Sequence, residues 1–477
     1  MLFSSMTFVF LFLPLVITLY YTFPRPLRNY ILLAASILFY AWGEPTYCYV
    51  LLLIVAANYG GALLMSRFQS CRTFFFVAVL LINFGVLIRF KYMDFLLENL
   101  FLANLEGLNS FRAVLPIGIS FYIFQSVSYL IDVYRKEIPA QRNFFKLSLF
   151  VALFPQMIAG PILKYHDIAP QIDHREIDLE LFAYGVKRFI VGLAKKMLIA
   201  NLMGAMADQF FERNNGVLYP SWMFWIGAVA YMFQIFYDFS GYSDMAIGLG
   251  AIFGFRFPEN FNYPYISRTI TEFWRRWHIS LSSWFKEYLY IPLGGNRVSK
   301  ARNYFNLFIV FLATGIWHGA SWNFVLWGLW HGFFIILEKA TDLHKKELSR
   351  TGRFFCHLYT LFVVLFGWVL FRANNLAEAC SYVKHMFGIM ESEPAMLNWM
   401  TLFDNEKIAV LLLAILCSCP VFRKMIDVPA QDAPGNSVRR PKIWKTILVD
   451  CWLMVLFVLS VMKIAASTYN PFIYFRF

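Results

Sequence analysis

Two histidines, His318 and His331, stand in the run TGIWHGASWNFVLWGLWHG (314–332), which is otherwise apolar and rich in tryptophan. A third, His278, lies in EFWRRWHISLSSWFKEYLYIPLGG (272–295). A neutral imidazole can take a proton from an attacking hydroxyl or thiol, which is what acyl transfer requires. A titratable side chain at membrane depth is costly and marks a functional site by default. The plainer alternative is a neutral ring that bonds two packed helices together. Two Trp-His pairs, Trp277-His278 and Trp317-His318, weigh against it. On a helix, Trp274, His278 and Ser282 are four apart and share a face. Asp238 and Asp244 lie in QIFYDFSGYSDMAIG (234–248) and suit a polar tunnel wall, with bonding between helices as the alternative.

These residues need a membrane-embedded scaffold. The 477 residues are 59% hydrophobic, 19% aromatic and only 15% charged, and mean hydropathy is +0.56. A soluble domain needs a more polar exterior, so the composition indicates a polytopic membrane protein. The net charge of +13 fits cytoplasmic loops facing anionic lipid better than it fits nucleic acid. The seven cysteines include no CxxC, so neither a zinc site nor a redox pair is supported, and no metal is expected. The N-terminus has no basic leader or small-residue cleavage site and is expected to form the first span.

In chain order, spans are expected at about 5–23, 30–42, 47–65, 74–88, 114–133 and 147–160. Basic residues follow the first, third and fifth, at Arg25 and Arg28, Arg67 and Arg72, and Arg135-Lys136. That alternation places these loops in the cytoplasm and the N-terminus outside, with Arg89, Lys91 and Arg112 as exceptions. From Lys164 to Asn201 charges of both signs alternate. LFAYGVKRFIVGLAKKMLIANL has Lys187, Arg188, Lys195 and Lys196 on one face and is expected to be an interfacial or re-entrant amphipathic helix. The stretch 222–253 is too long for one plain span. Apolar helices are expected on both sides of His318, at 303–316 and 322–337, and three more at 354–371, 408–417 and 447–462. The loops at 339–353 and 423–445, the latter with Arg439-Arg440, are expected in the cytoplasm, and the terminal FIYFRF outside. The whole, 1–477, is expected to be one all-α membrane domain of about eleven to thirteen transmembrane or re-entrant helices.

No phosphate-binding GxxxxGK[ST] or GxGxxG is present, and neither HExxH nor GxSxG occurs. What remains is histidine chemistry in an aromatic-lined cavity. At this point the chain resembles the membrane-bound O-acyltransferase (MBOAT) family, in its bacterial alginate O-acetylation branch. The matching pieces are YDFSGYSDMAIG (237–248), FNYPYISRTITEFWRRWHISLSSWFKEYLYIPLGGNR (261–297), GIWHGASWNFVLWGLWHG (315–332), WVLFRA (368–373) and PFIYFRF (471–477). With the N-terminal FLFLPLVITLYY they cover essentially the whole chain. IPLGGNR favours the polysaccharide-acetylating branch over the D-alanyl-transferring proteins of teichoic-acid modification.

The resemblance implies an MBOAT-type helix bundle around a central tunnel. The family's active-site histidine falls on His318 and its second polar position on His278. His331 matches the following LWHG motif and is supporting, as are Trp317, Trp274, Asp238, Asp244 and Ser282. Acetyl groups would enter from a cytoplasmic donor, acetyl-CoA or another acetyl thioester, with no tightly bound cofactor. They would leave across the bacterial inner membrane towards an exported polysaccharide, with periplasmic or membrane-anchored SGNH-type acetyltransferase partners acting in trans. The competing classes are a proton-coupled transporter, which usually shows an internal repeat not seen here, and a silent scaffold of a polysaccharide-export complex.

Overall fold

A computed structural model describes residues 1–100, 114–175, 177–212, 219–343, 346–390, 404–422, 443–467 and 469–471. Among these residues it holds helices and no strand. Helices α1 (Leu13–Thr22), α2 (Arg28–Gly43), α3 (Cys48–Arg67) and α4 (Arg72–Leu87) open the chain, and α4 passes through a π-turn, Ile88–Tyr92, into α5 (Met93–Leu100). Helix α6 (Ile119–Arg135) follows. The expected sixth span is split at Leu153 into α7 (Phe144–Ala152), capped by the Asn143 side chain, and α8 (Phe154–Met157). Then come α9 (Tyr165–Asp173), α10 (Leu179–Ala194), α11 (Asn201–Phe211) and α12 (Ser221–Ile252). The last large group is α13 (Ile270–Arg276), α14 (Ile279–Phe285), α15 (Lys300–His318), α16 (Trp322–Ala340), α17 (Arg350–Arg372) and α18 (Leu376–Met386). Helices Asn405–Cys417 and Ile443–Ala466 follow.

Among the described residues, five stretches are long and apolar enough to cross a membrane: Pro45–Arg67, Gln69–Asn99, Leu179–Phe211, Arg350–Arg372 and Ile443–Ala466. The protein is an all-α polytopic membrane protein. The basic loop with Arg439-Arg440 and the terminal FIYFRF lie outside the described residues. Helix α18 was not anticipated from the sequence; Asn375 caps it by accepting from the Glu378 N–H.

Helix α12 is the axis. Its 32 residues are one helix of about 48 Å at 1.5 Å per residue, longer than the roughly 30 Å hydrocarbon layer. It is predominantly apolar and buried along most of its length. Helix α10 lies against it backbone to backbone. A methyl group added at Gly185 would sit 2.6 Å from the Gly248 carbonyl oxygen, and one at Gly241 would sit 2.8 Å from that of Gly192. Only glycine permits such an approach.

This contact corrects the expectation of an interfacial or re-entrant amphipathic helix at 181–202. The stretch is part of the long span Leu179–Phe211; three of its cations face carboxylates of α12, and Lys187 pairs with Asp450 of the Ile443–Ala466 helix. Lys196 pairs with Asp238 at 2.7 Å, and Arg188 and Lys195 each pair with Asp244 at 2.6 Å. Neutralised in this way, the cationic face packs inward. Asp238→Leu would leave Lys196 buried without its carboxylate, a cost of roughly 3–5 kcal/mol. The variant should be sharply depleted from membranes on immunoblotting. Normal abundance would show that the pair does not hold α10 to α12.

Three helices set a common polarity. Helix α2 runs from Arg28 to Gly43, α4 from Arg72 to the Lys91 turn, and α6 from Gly118 to Arg135. Arg72 donates to the carbonyls of Val133 and Tyr134, so the basic ends of α4 and α6 lie together. Helix α9 docks at that end through His166 Nδ1, which is 2.9 Å from Asp132 Oδ2. Asp167, Glu287 and Lys164 surround the pair, and the Tyr288 hydroxyl donates to Asp132. The hydrogen bond to Asp132 raises the pKa of His166, with burial opposing it. A raised folded-state value means this contact stabilises fully below the ordinary histidine pKa of about 6.5 and is lost as pH rises through the raised value. Wild type should therefore lose more thermal stability than His166→Gln as pH is raised from about 6. Parallel melting profiles would remove the charge from the contact.

Candidate active site

Helix α15 delivers His318 as its last residue. The chain breaks at Gly319-Ala320-Ser321 and returns as α16. The two helices cross at Gly315 and Gly328: a methyl group on Gly315 would sit 2.5 Å from the Phe324 carbonyl oxygen, and one on Gly328 would strike that of Phe311. The crossing brings three aromatic edges round the His318 ring, Trp317 and Trp327 at 4.8 Å and Phe371 at 5.2 Å. His318 is 6% exposed, and its Nδ1 has no protein partner among the described residues. It borders a cavity of about 220 Å³ together with Lys91, Ile117, Gly118, Ser120 and Trp317.

His278 is fully buried and does not border this cavity. Its Nδ1 is 3.1 Å from Asn260 Oδ1, an acceptor that also receives the Ser280 hydroxyl. Nδ1 therefore carries the proton, and Nε2 is left as an acceptor without a protein partner among the described residues. The expectation of one helical face for Trp274, His278 and Ser282 is overturned. Helix α13 stops at Arg276, and His278 turns the corner at φ 45° before α14. The loop around Asn260 takes the backbone bonds a continuous helix would use: Asn262 N–H donates to the Arg276 carbonyl, and Ile279 N–H to that of Asn260. Ser282 Oγ still reaches the Trp274 carbonyl, at 3.3 Å.

His331 is buried against Trp274 at 5.3 Å and Trp327 at 5.2 Å, and neither ring nitrogen has a protein partner among the described residues. The three histidines thus lie along one aromatic seam. His278 stands 6.1 Å from the Trp317 ring, Trp317 touches His318, and His318 touches Trp327, which touches His331. The indole N–H groups of Trp274, Trp317 and Trp327 also have no protein partner among the described residues. Buried polar groups are nearly always paired, so a row of this kind suits polar atoms of a substrate or of water. Asp238 and Asp244 are held in the α10–α12 ion pairs and do not line the cavity at His318.

Lys91, Ser120 and Asn260 were not singled out from the sequence. Lys91 stood there only as an exception to the charge alternation, and that isolation at the end of a span was the available signal. Among the described residues one His/Asp/Glu group, Asp132, His166 and Glu287, has ligand atoms close enough together for an ion. Lys164 and Tyr288 already engage both of its carboxylates.

Residues 51–383 match the family model described as MBOAT, membrane-bound O-acyltransferase family. The chain belongs to the membrane-bound O-acyltransferase family. It is 39% identical to the probable alginate O-acetylase AlgI of Azotobacter vinelandii and 38% identical to that of Pseudomonas aeruginosa, with 100% of both chains covered in each case. It is 36% identical to the peptidoglycan O-acetyltransferase of Helicobacter pylori, over 82% of this chain and 80% of that protein. As an MBOAT protein it is an O-acyltransferase.

Proposed function

We propose that this MBOAT protein passes acetyl groups from a cytoplasmic acetyl thioester, acetyl-CoA or an equivalent, across the inner membrane for O-acetylation of an exported polysaccharide such as alginate. His318 is the general base. The acceptor hydroxyl oxygen attacks the thioester carbonyl carbon while its proton passes to the imidazole. The tetrahedral intermediate then expels the thiolate, which recovers that proton as a thiol. Trp317, Trp327 and Phe371 exclude the bulk water that would hydrolyse the thioester. His278, anchored by Asn260, presents Nε2 to the seam and positions the donor.

The observation that carries this reading is His318 itself: buried, with a nitrogen that has no partner among the described residues, on the wall of a cavity and at the middle of a polar seam. Polarity supports the direction. The basic ends of α2, α4 and α6 lie opposite the cavity, which under the positive-inside rule supports an outward-facing cavity. The full-length likeness to two proteins named as alginate O-acetylases supports the polymer class. Membrane-anchored or periplasmic SGNH-type partners would complete the transfer outside.

The test is labelled acetyl-CoA supplied to the cytoplasmic face of membranes that retain the export system, with label counted in the polymer. Label should appear only when this protein is present. Equal labelling without it would leave only a scaffold or transport role.

A further inference from the structure

The cavity at His318 holds a cation that the transfer chemistry above does not use. Lys91 sits on the π-turn Ile88–Tyr92, where the apolar α4 gives way to α5. Its ammonium donates to the Trp317 carbonyl at 2.5 Å and to the Ser120 hydroxyl at 3.1 Å. Among the described residues no carboxylate lies within ion-pair distance of it. A cation at membrane depth without a counter-charge is rare, and such residues face a cavity where they act. Two of its three protons are taken by these neighbours, and the third is free for one oxygen atom. Its carbonyl acceptor belongs to the residue next to His318, so base and cation are fixed by one segment of chain.

The opposite wall has the same sign. Helix α6 begins in the cavity at Gly118, which has φ 76° and offers no side-chain cap, so the positive end of the helix dipole is not neutralised by its own side chain. Gly118 is required there, because a methyl group would sit 2.7 Å from the Met157 carbonyl oxygen. Among the described residues the cavity therefore combines an imidazole nitrogen without a partner, an ammonium without a carboxylate and a helix start without a side-chain cap.

We propose that Lys91, with the N-terminus of α6, stabilises the negative oxygen that forms when the acceptor attacks the acetyl thioester at His318. This rests on the acetyl-transfer reading of the site. In the step, the hydroxyl oxygen bonds to the carbonyl carbon and its proton passes to His318. The carbonyl π pair moves onto oxygen, which accepts the third Lys91 proton as a hydrogen bond. The pair then returns, the C–S bond breaks, and the thiolate leaves with the His318 proton. Preorganised donors of this kind act on the transition state and so appear in kcat.

The test uses membranes opened at both faces, fed saturating acetyl-CoA and polymer exported by the same cells. Lys91→Met keeps the apolar stem and removes the charge, and kcat should fall by about 100- to 1,000-fold at normal abundance. Lys91→Arg keeps the charge and should retain most of the turnover. If Lys91→Met fails to accumulate, Lys91→Gln replaces it, since an amide still bonds Trp317 and Ser120; it should show the same loss. Normal turnover per molecule in Met or Gln would overturn the proposal and make Lys91 a tie between α4 and α15. Recovery of Lys91→Met at raised polymer concentration would also overturn it, by showing a cation that binds acceptor only. Absence of transfer in wild-type membranes would overturn the acetyl-transfer reading and this one with it.

Discussion

His318→Ala and His318→Gln should both abolish acetyl transfer while reaching the membrane in normal amounts. The ring has no hydrogen-bond partner at Nδ1 among the described residues, so truncation to alanine leaves no buried partner unsatisfied there. What is removed is basicity, which for a positioned general base is worth on the order of 10²–10⁴-fold in rate. Glutamine keeps the polarity and hydrogen bonding of the side chain but cannot accept the hydroxyl proton. If His318 only knitted α15 to its neighbours, glutamine would largely restore function and alanine would lower the amount of protein. Polymer acetylation and membrane abundance, measured together for the two variants, decide the matter. An active glutamine variant would end the base assignment.

Gly328→Val should eliminate correctly folded protein altogether. At this crossing α15 and α16 meet backbone to backbone, and an added methyl strikes the Phe311 carbonyl, with Gly315 also in the way. The obstacle is main chain on both sides, so no rotamer change relieves it, and the cost should exceed the roughly 1–3 kcal/mol typical of overpacking against side chains. The same displacement moves His318, so any surviving protein should be inactive. Gly60→Ala in α3 is the control, because a methyl group there meets nothing within 4 Å. It should be neutral or slightly stabilising, since glycine in a helix costs roughly 0.5–1 kcal/mol relative to alanine. Monodisperse, thermally normal Gly328→Val after detergent extraction would contradict the crossing.

Class and motif were legible in the chain because they depend on local properties. Composition determines whether a chain can present a polar exterior, and runs of apolar residues determine where it can span a bilayer, so the all-α membrane architecture followed directly. The residues of the seam were legible too, as His278, His318 and His331 are imidazoles among tryptophans with no soluble surface to serve.

Geometry was less accessible. The helix face expected for Trp274, His278 and Ser282 presumed that backbone bonds stay within the helix, whereas the Asn260 loop takes two of them and turns the chain at His278. The stretch 181–202 looked interfacial because its cations had no visible partners. Asp238 and Asp244 supply them for Arg188, Lys195 and Lys196 from a helix more than forty residues away, Asp450 supplies Lys187, and pairing makes burial tolerable.

The sequence by itself determined the membrane class, the MBOAT resemblance and the identity of the central histidine, because each is written in residue type and short-range spacing. Only the tertiary structure decided what each polar group faces. Lys91 reaches the Trp317 carbonyl from 226 positions away, and no periodicity within α4 encodes that. Asp238 and Asp244 became ties between helices, and Lys91 a cavity cation, for one physical reason. A charge at low dielectric takes its meaning from its nearest partner, and partners distant in sequence are brought together only by folding.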